Sequence, residues 1–279
     1  MQPLLQRSSF VTGGEVQELI GRAERLAVRL AREAGEVLME HLGTGIGVEL
    51  KGEIDPVTEL DRRTEDFLVK GLSAEFPGHE FLAEEQTNTL GDSEFRWIID
   101  PLDGTTNYAH GYPCFTVSIG LQFQRRTVLG VVYQPATREM FTAVEGGGAQ
   151  LNGRRISVSG AAAEIERAFL VTGFPYNLRR PGVLQRNLGR FEKLLAACFA
   201  VRRDGSAAYD LACVAAGRFH GYWEENLNPW DTVAGTLLVR EAGGEVTDFE
   251  GNAFDPLLDK AILAAGNRAL LEQMLILLK

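Results

Sequence analysis

The sequence predicts a mixed α+β and α/β protein built from two packed subdomains, residues 1–158 and 159–279. Two observations carry that reading. After two long helical periodicities, residues 114–145 break into short apolar runs separated by turns, the pattern of an antiparallel meander. Beyond residue 158 such runs alternate with helical spacing, the pattern of an α/β layer. A chain of 279 residues that is 45% hydrophobic has enough apolar material for a proper core, and no repeat or low-complexity tract interrupts it.

Residues 1–14 read as a short disordered lead-in without the basic and apolar regions of a secretory signal. Val16, Leu19, Ile20, Ala23, Leu26 and Ala27 begin a helical spacing that runs over 15–42, where Gly43 ends it. A flexible connector at 43–47 and a short strand at 48–51 follow. Thr58 then opens a second helix to Glu75, stopped by Pro77-Gly78. A strand at 81–83 leads into Glu84-Glu85, and 87–94 is a polar loop. Trp97-Ile98-Ile99 is a buried strand ended by Pro101 and Gly104. Further strands fall at 116–123, 128–133, 140–144 and 156–158. In the second half, strands at 168–171, 199–202, 219–223, 245–247 and 262–265 accompany helices near 183–197, 206–217, 229–243 and 267–278.

A formal charge of −10 argues against nonspecific binding to nucleic acid or anionic membranes, and no apolar run is long enough to span a bilayer. Cys114, Cys198 and Cys213 are odd in number and lack C-x-x-C spacing, which reads as reduced thiols of a cytoplasmic protein. A nucleophilic cysteine is the weaker alternative.

The chemistry concentrates in Trp97-Ile-Ile-Asp-Pro-Leu-Asp-Gly-Thr-Thr-Asn107. An apolar strand delivers Asp100 and Asp103 to one point, followed by a glycine, two hydroxyls and free N–H groups. Paired carboxylates suit a hard divalent cation and exposed N–H groups suit an anion, which together describe phosphoryl chemistry. Buried carboxylates need partners, and no lysine or arginine is adjacent in sequence, so a metal is the economical answer. Other acidic positions are ambiguous alone. Glu84-Glu85 also reads as a solvated loop, Asp231 as a dipole-complementing residue after Asn228-Pro229, and Asp61 as part of a Thr58-x-x-Asp61 capping box.

Several segments together resemble the inositol monophosphatase family of Mg2+-dependent, Li+-sensitive phosphatases. They are Asp55-Pro-Val-Thr-Glu-Leu-Asp61, Phe81-Leu-Ala-Glu-Glu85, Trp97 to Asn107 in full, Asn228-Pro-Trp-Asp-Thr-Val-Ala-Gly235 and Glu241-Ala-Gly-Gly244. The resemblance covers roughly residues 15–279 and implies a layered α-β-α-β-α sugar-phosphatase architecture. It implies that Glu84, Asp100, Asp103, Asp231 and the Leu102 carbonyl ligate Mg2+. By the same resemblance Asp61, Thr105 and Glu84 orient an attacking water, while Asp103, Gly104, Thr105 and Thr106 hold the phosphate. Gly205, Ser206, Ala207 and Glu224 would line the substrate pocket, Glu224 contacting a substrate hydroxyl. Ala83, where many members carry glycine or serine, departs in a minor way. The loop 172–182, with Tyr176, Arg179 and Arg180, reads slightly better as solvated surface than as a substrate contact.

The leading expectation is therefore hydrolysis of myo-inositol phosphates, with a phosphorylated polyol as ligand and a homodimer as the assembly. A related substrate is the alternative: fructose 1,6-bisphosphate, NADP or a 3′-phosphoadenosine nucleotide. Such a substrate requires extra basic groups, for which Arg179-Arg180 and Arg202-Arg203 are the candidates. A third possibility is a regulatory binding protein contacting transcription or ribosome-assembly factors, as some bacterial relatives do.

Overall fold

A computed structural model describes residues 13–44, 48–50, 56–89, 91–160 and 163–279, with backbone alone at 48–50 and 56–58. Most of the expected lead-in, the connector residues 45–47 and Asp55 lie outside the described residues. Helix α1 (Gly13–His41) takes in the last two residues assigned to the lead-in, and its small buried face of Ala23, Ala27, Ala31 and Ala34 lets it lie close to a sheet. Strands β1 (Val48–Leu50) and β2 (Pro56–Thr58) form a hairpin before α2 (Glu59–Glu75).

The first half continues with β3 (Glu80–Ala83), β4 (Asn88–Thr89), β5 (Phe95–Asp103) and the short helix α3 (Thr105–Ala109). The meander then runs through β6 (Thr116–Phe123), β7 (Arg126–Gln134), β8 (Glu139–Val144), β9 (Gly148–Leu151) and β10 (Arg154–Arg155). In the second half lie β11 (Phe169–Thr172), α4 (Val183–Ala197), β12 (Ala200–Arg202), α5 (Ala207–Ala215) and β13 (Gly221–Glu225). After them come α6 (Pro229–Glu241), β14 (Glu245–Thr247), β15 (Ala261–Ala265) and α7 (Arg268–Leu278).

One sheet of eight strands has the order β10-β9-β8-β7-β6-β5-β3-β4, and one of five has the order β12-β11-β13-β15-β14. Helices α1 and α2 cover the outer face of the larger sheet, α5 and α6 lie between the sheets, and α7 with α4 covers the far side of the smaller one. The result is the expected five-layered α-β-α-β-α stack. Its middle core joins Ile98, Val132 and Phe141 from the larger sheet to Leu211, Val233 and Leu238 of the central helices.

Three local expectations are corrected. Residues 156–158 form no strand; the sheet ends in β10, paired to β9 one turn earlier. The polar loop 87–94 contains the two-residue strand β4. Most consequentially, Pro101 does not end β5. The strand continues to Asp103, and its pairing with β6 shifts register between Asp100 and Asp103. Such an irregularity is where a sheet tolerates a residue without an N–H.

Topology positions the acids. β3 and β5 are parallel neighbours, with Ala83 opposite Ile99, so Glu84, just past the end of β3, comes beside Asp100 of β5. The N-termini of α5 and α6 approach the same edge, since Ser206 reaches Asp103 and Trp230 O accepts from Ser118 Oγ at 3.2 Å on β6.

Candidate active site

Carboxylate oxygens of Asp100, Asp103 and Asp231 lie within 4.8 Å of one another. Asp100 and Asp103 are buried, and Glu84 is hydrogen-bonded to Asp100. Each of the three is anchored through one oxygen. Leu102 N donates to Asp100 Oδ1 at 2.9 Å. Ser206 Oγ and Ala208 N donate to Asp103 Oδ2 at 2.6 and 2.8 Å, so Asp103 caps the start of α5 from another strand. Asn228 N donates to Asp231 Oδ2 at 2.6 Å within the first turn of α6. The capping explanation for Asp231 and its membership of the cluster thus both hold.

Burial drives the Asp100, Asp103 and Asp231 carboxyls above the usual carboxylate range, and repulsion from Glu84 and Asp103 raises Asp100 and Asp231 further. Hydrogen bonds from Ser206, Ala207, Ala208 and Thr116 offset part of the effect at Asp103. Among the described residues no lysine or arginine forms an ion pair with these three. Oxygen donors concentrated without a counter-charge fit a hard divalent cation.

Beside the cluster, Gly104 has φ +94° and begins α3. A Cβ there would sit 2.9 Å from Cys114 O and 3.3 Å from Gly205 O, so only glycine fits both the conformation and the space. The first amides of α3 have no intrahelical acceptor, and Gly104, Thr105 and Thr106 line the cavity. Thr105 Oγ1 lies 3.2 Å from Asp61 Oδ1 and 3.0 Å from Leu102 O and shares its proton between them. Asp61 itself is fully buried behind the cavity wall.

The cavity has a volume of about 360 Å3. Glu84, Asp100, Leu102, Asp103, Gly104, Thr105, Thr106, Gly205, Ala207, Glu224 and Asp231 all line it. Ser206 is buried with its hydroxyl on Asp103, so its side chain serves the acid rather than the open space. The loop 172–182 is not plain surface: Tyr176 and Arg180 line the cavity. Arg203 lines it too, whereas Arg202 stacks on the Phe169 ring at 4.9 Å. Burial pushes the Cys114 thiol far up and that of Cys213 to about 12, which removes them as nucleophiles.

Sequence reasoning missed two supporting residues. Buried Glu65 on α2 accepts from the backbone N–H groups of Glu85, Gln86 and Thr87 at 2.6, 2.9 and 2.7 Å, fixing the turn that carries Glu84. Asn107 Nδ2 donates to Cys114 O at 2.7 Å and Asp204 O at 2.8 Å, tying the glycine–threonine turn to the loop before α5. Asn107 stood inside the central motif, but Glu65 had only helical spacing to recommend it.

A profile described as the inositol monophosphatase family matches residues 22–278. The inositol-1-monophosphatase of Mesorhizobium japonicum is 43% identical over 251 residues, covering 89% of this chain and 92% of that protein. A Pseudomonas aeruginosa protein named Nus factor SuhB is 44% identical over 248 residues, covering 87% and 90%. Among solved structures, the extragenic suppressor protein suhB from Bartonella henselae superposes with TM-score 0.87 at 43% identity, covering 92% of this chain and 98% of that one. An inositol monophosphatase from Anabaena gives TM-score 0.83 at 38% identity, over 93% and 96% of the two chains.

Proposed function

The chain belongs to the inositol monophosphatase family, and from that premise we propose that it hydrolyses inositol monophosphates, myo-inositol 1-phosphate first among them, to inositol and phosphate with Mg2+. The observation that carries the reading is one cavity holding three clustered carboxylates, a glycine–threonine turn and, on another strand, Glu224.

Glu84, Asp100, Asp103, Asp231 and the Leu102 carbonyl would hold Mg2+. When bound, Mg2+ supplies charge to the phosphate oxygens and makes water more acidic. The chain's own groups do the positioning. Amides of 104–106 receive the phosphate oxygens at the start of α3. Thr105 Oγ1, its proton shared between Asp61 and the Leu102 carbonyl, presents lone pairs to the attacking water, which Glu84 also orients. Glu224 accepts from a hydroxyl of the leaving polyol. The same proposal includes the homodimer, inhibition by Li+ and a cytoplasmic location, in keeping with three free cysteines.

The test is turnover of purified protein with Mg2+, and with EDTA, on inositol 1-phosphate, fructose 1,6-bisphosphate, NADP and 3′-phosphoadenosine nucleotides. Inositol 1-phosphate is expected to be fastest and EDTA to abolish its hydrolysis; much slower turnover than on the others overturns the substrate. Arg180 and Arg203 on the cavity wall favour a second reading, a substrate with two anionic groups, and the same comparison decides it. Similarity to proteins named Nus factor SuhB supports an additional binding role. Rescue of a deletion strain by an Asp103→Asn protein would separate such a role from hydrolysis.

A further inference from the structure

Glu224 sits in a mould made by two neighbours, Tyr222 and Gly173. Tyr222 precedes it by two residues on β13, hence on the same face of the strand. Tyr222 is fully buried, and its hydroxyl donates to Glu224 Oε2 at 2.6 Å. The second neighbour is Gly173. β11 pairs in parallel with β13, Thr172 opposite Trp223, so the residue after Thr172 comes up against Glu224. A Cβ on Gly173 would overlap the Glu224 carboxyl carbon and both its oxygens. The Gly173 backbone is not free to retreat, because buried Thr172 donates through Oγ1 to Trp223 O at 2.6 Å and fastens the two strand ends together.

We propose that Gly173 and Tyr222 are positioning residues that fix the Glu224 carboxylate as acceptor for a substrate hydroxyl, and thereby set a preference for polyol phosphates over simple phosphate esters. The proposal rests on the phosphatase reading above. Electrostatics point the same way. The Glu224 carboxyl is raised to about 7, the balance of burial and the Asp103 charge, which push it up, against the Tyr222 hydrogen bond and the Arg203 charge, which hold it down. Asp210 and Asp231 also face it as like charges. Tyr222 therefore donates a hydrogen bond that favours the ionised form of this acceptor, and is not merely a hydroxyl in need of a partner.

The experiment compares wild type, Tyr222→Phe and Gly173→Ala on inositol 1-phosphate and on p-nitrophenyl phosphate, which has no ring hydroxyl, between pH 6 and 9. The ratio of kcat/KM for the polyol to kcat/KM for the aryl ester is expected to fall about tenfold in each variant, mainly through KM, as for the loss of one hydrogen bond to a charged acceptor. In Tyr222→Phe, the pH at which KM for inositol 1-phosphate improves moves upward. Equal losses on both substrates, or an unchanged ratio, overturn the proposal. Tyr222→Phe conserves volume, so it reports even if Gly173→Ala does not fold. Wild type that cleaves the aryl ester but not inositol 1-phosphate defeats the polyol reading instead. Titration of the Glu224 carboxyl by 13C NMR in metal-free protein then decides the positioning claim. An upward shift in Tyr222→Phe supports it, and an unmoved titration sinks it.

Discussion

Ser206 Oγ donates to Asp103 Oδ2 at 2.6 Å, joining residues 103 positions apart and linking the last residue of β5 to the start of α5. Asparagine at 103 keeps an oxygen that can accept from Ser206 and Ala208 but loses the negative charge. Asp103→Asn, and Asp231→Asn by the same logic, are expected to fold and to lose turnover by about 10²-fold or more. Ser206→Ala is expected to weaken Mg2+ binding by about 10–100-fold, because the acid keeps its charge and loses its support. Circular dichroism and Mg2+-dependent turnover check both; near-normal hydrolysis by the two asparagine variants at saturating Mg2+ would refute the cation site.

Gly104→Ala tests the turn. The substitution puts a side chain at φ +94° and a methyl 2.9 Å from Cys114 O, two costs with no room for relief. A loss of about 1–3 kcal/mol in stability is expected, together with weakened phosphate affinity as the first amides of α3 shift. Denaturant unfolding measures the first, and inhibition by inorganic phosphate the second.

Glu65→Gln tests the support beneath Glu84. Three backbone N–H groups converge on this buried carboxylate. A glutamine amide replaces one acceptor oxygen by a donor, which then faces N–H groups. The expected result is raised mobility of residues 84–87 and a Mg2+ requirement shifted upward about tenfold, with the protein still folded. Hydrogen exchange at these amides and the Mg2+ dependence of turnover report it.

Much of this site was legible because its chemistry is written locally. Trp97 to Asn107 places strand, acids, glycine and hydroxyls in one continuous segment, so β5 and its carboxylates could be read without tertiary information. What failed to be read depends on partners distant in sequence. Pro101 looks like a strand terminator until the register shift against β6 accommodates it. Ser206 looks like a pocket residue until Asp103 claims its hydroxyl. The 172–182 loop looks like solvent-facing surface until the ends of β11 and β13 turn it over the cavity. Glu65 and Gly173 acquire meaning only from the backbone or carboxylate that folding brings against them.

His79 is expected to make the fold acid-sensitive well above the range where ordinary carboxylates titrate. Its ring stacks between Phe76 and Phe95, with centroids 5.1 and 4.7 Å away, and its Nδ1 accepts from Trp97 Nε1 at 3.1 Å. Protonating Nδ1 would set one N–H against another, and burial lowers its pKa from 6.5 to about 4. The sign follows from the two states. Between pH 6.5 and 4 the unfolded chain binds a proton that the folded chain refuses, so stability falls as pH falls through that window and is insensitive to this group above it. Glutamine at 79 retains an acceptor for Trp97 but does not titrate. Thermal unfolding of metal-free protein at pH 7 and pH 5 should show a drop for wild type that exceeds the drop for His79→Gln by on the order of 2–4 °C, even though the variant starts lower for want of stacking. The acidic cluster titrates in both proteins and cancels in the difference. Equal drops would mean that the imidazole takes up its proton as readily in the fold as in the unfolded chain, contrary to its contacts.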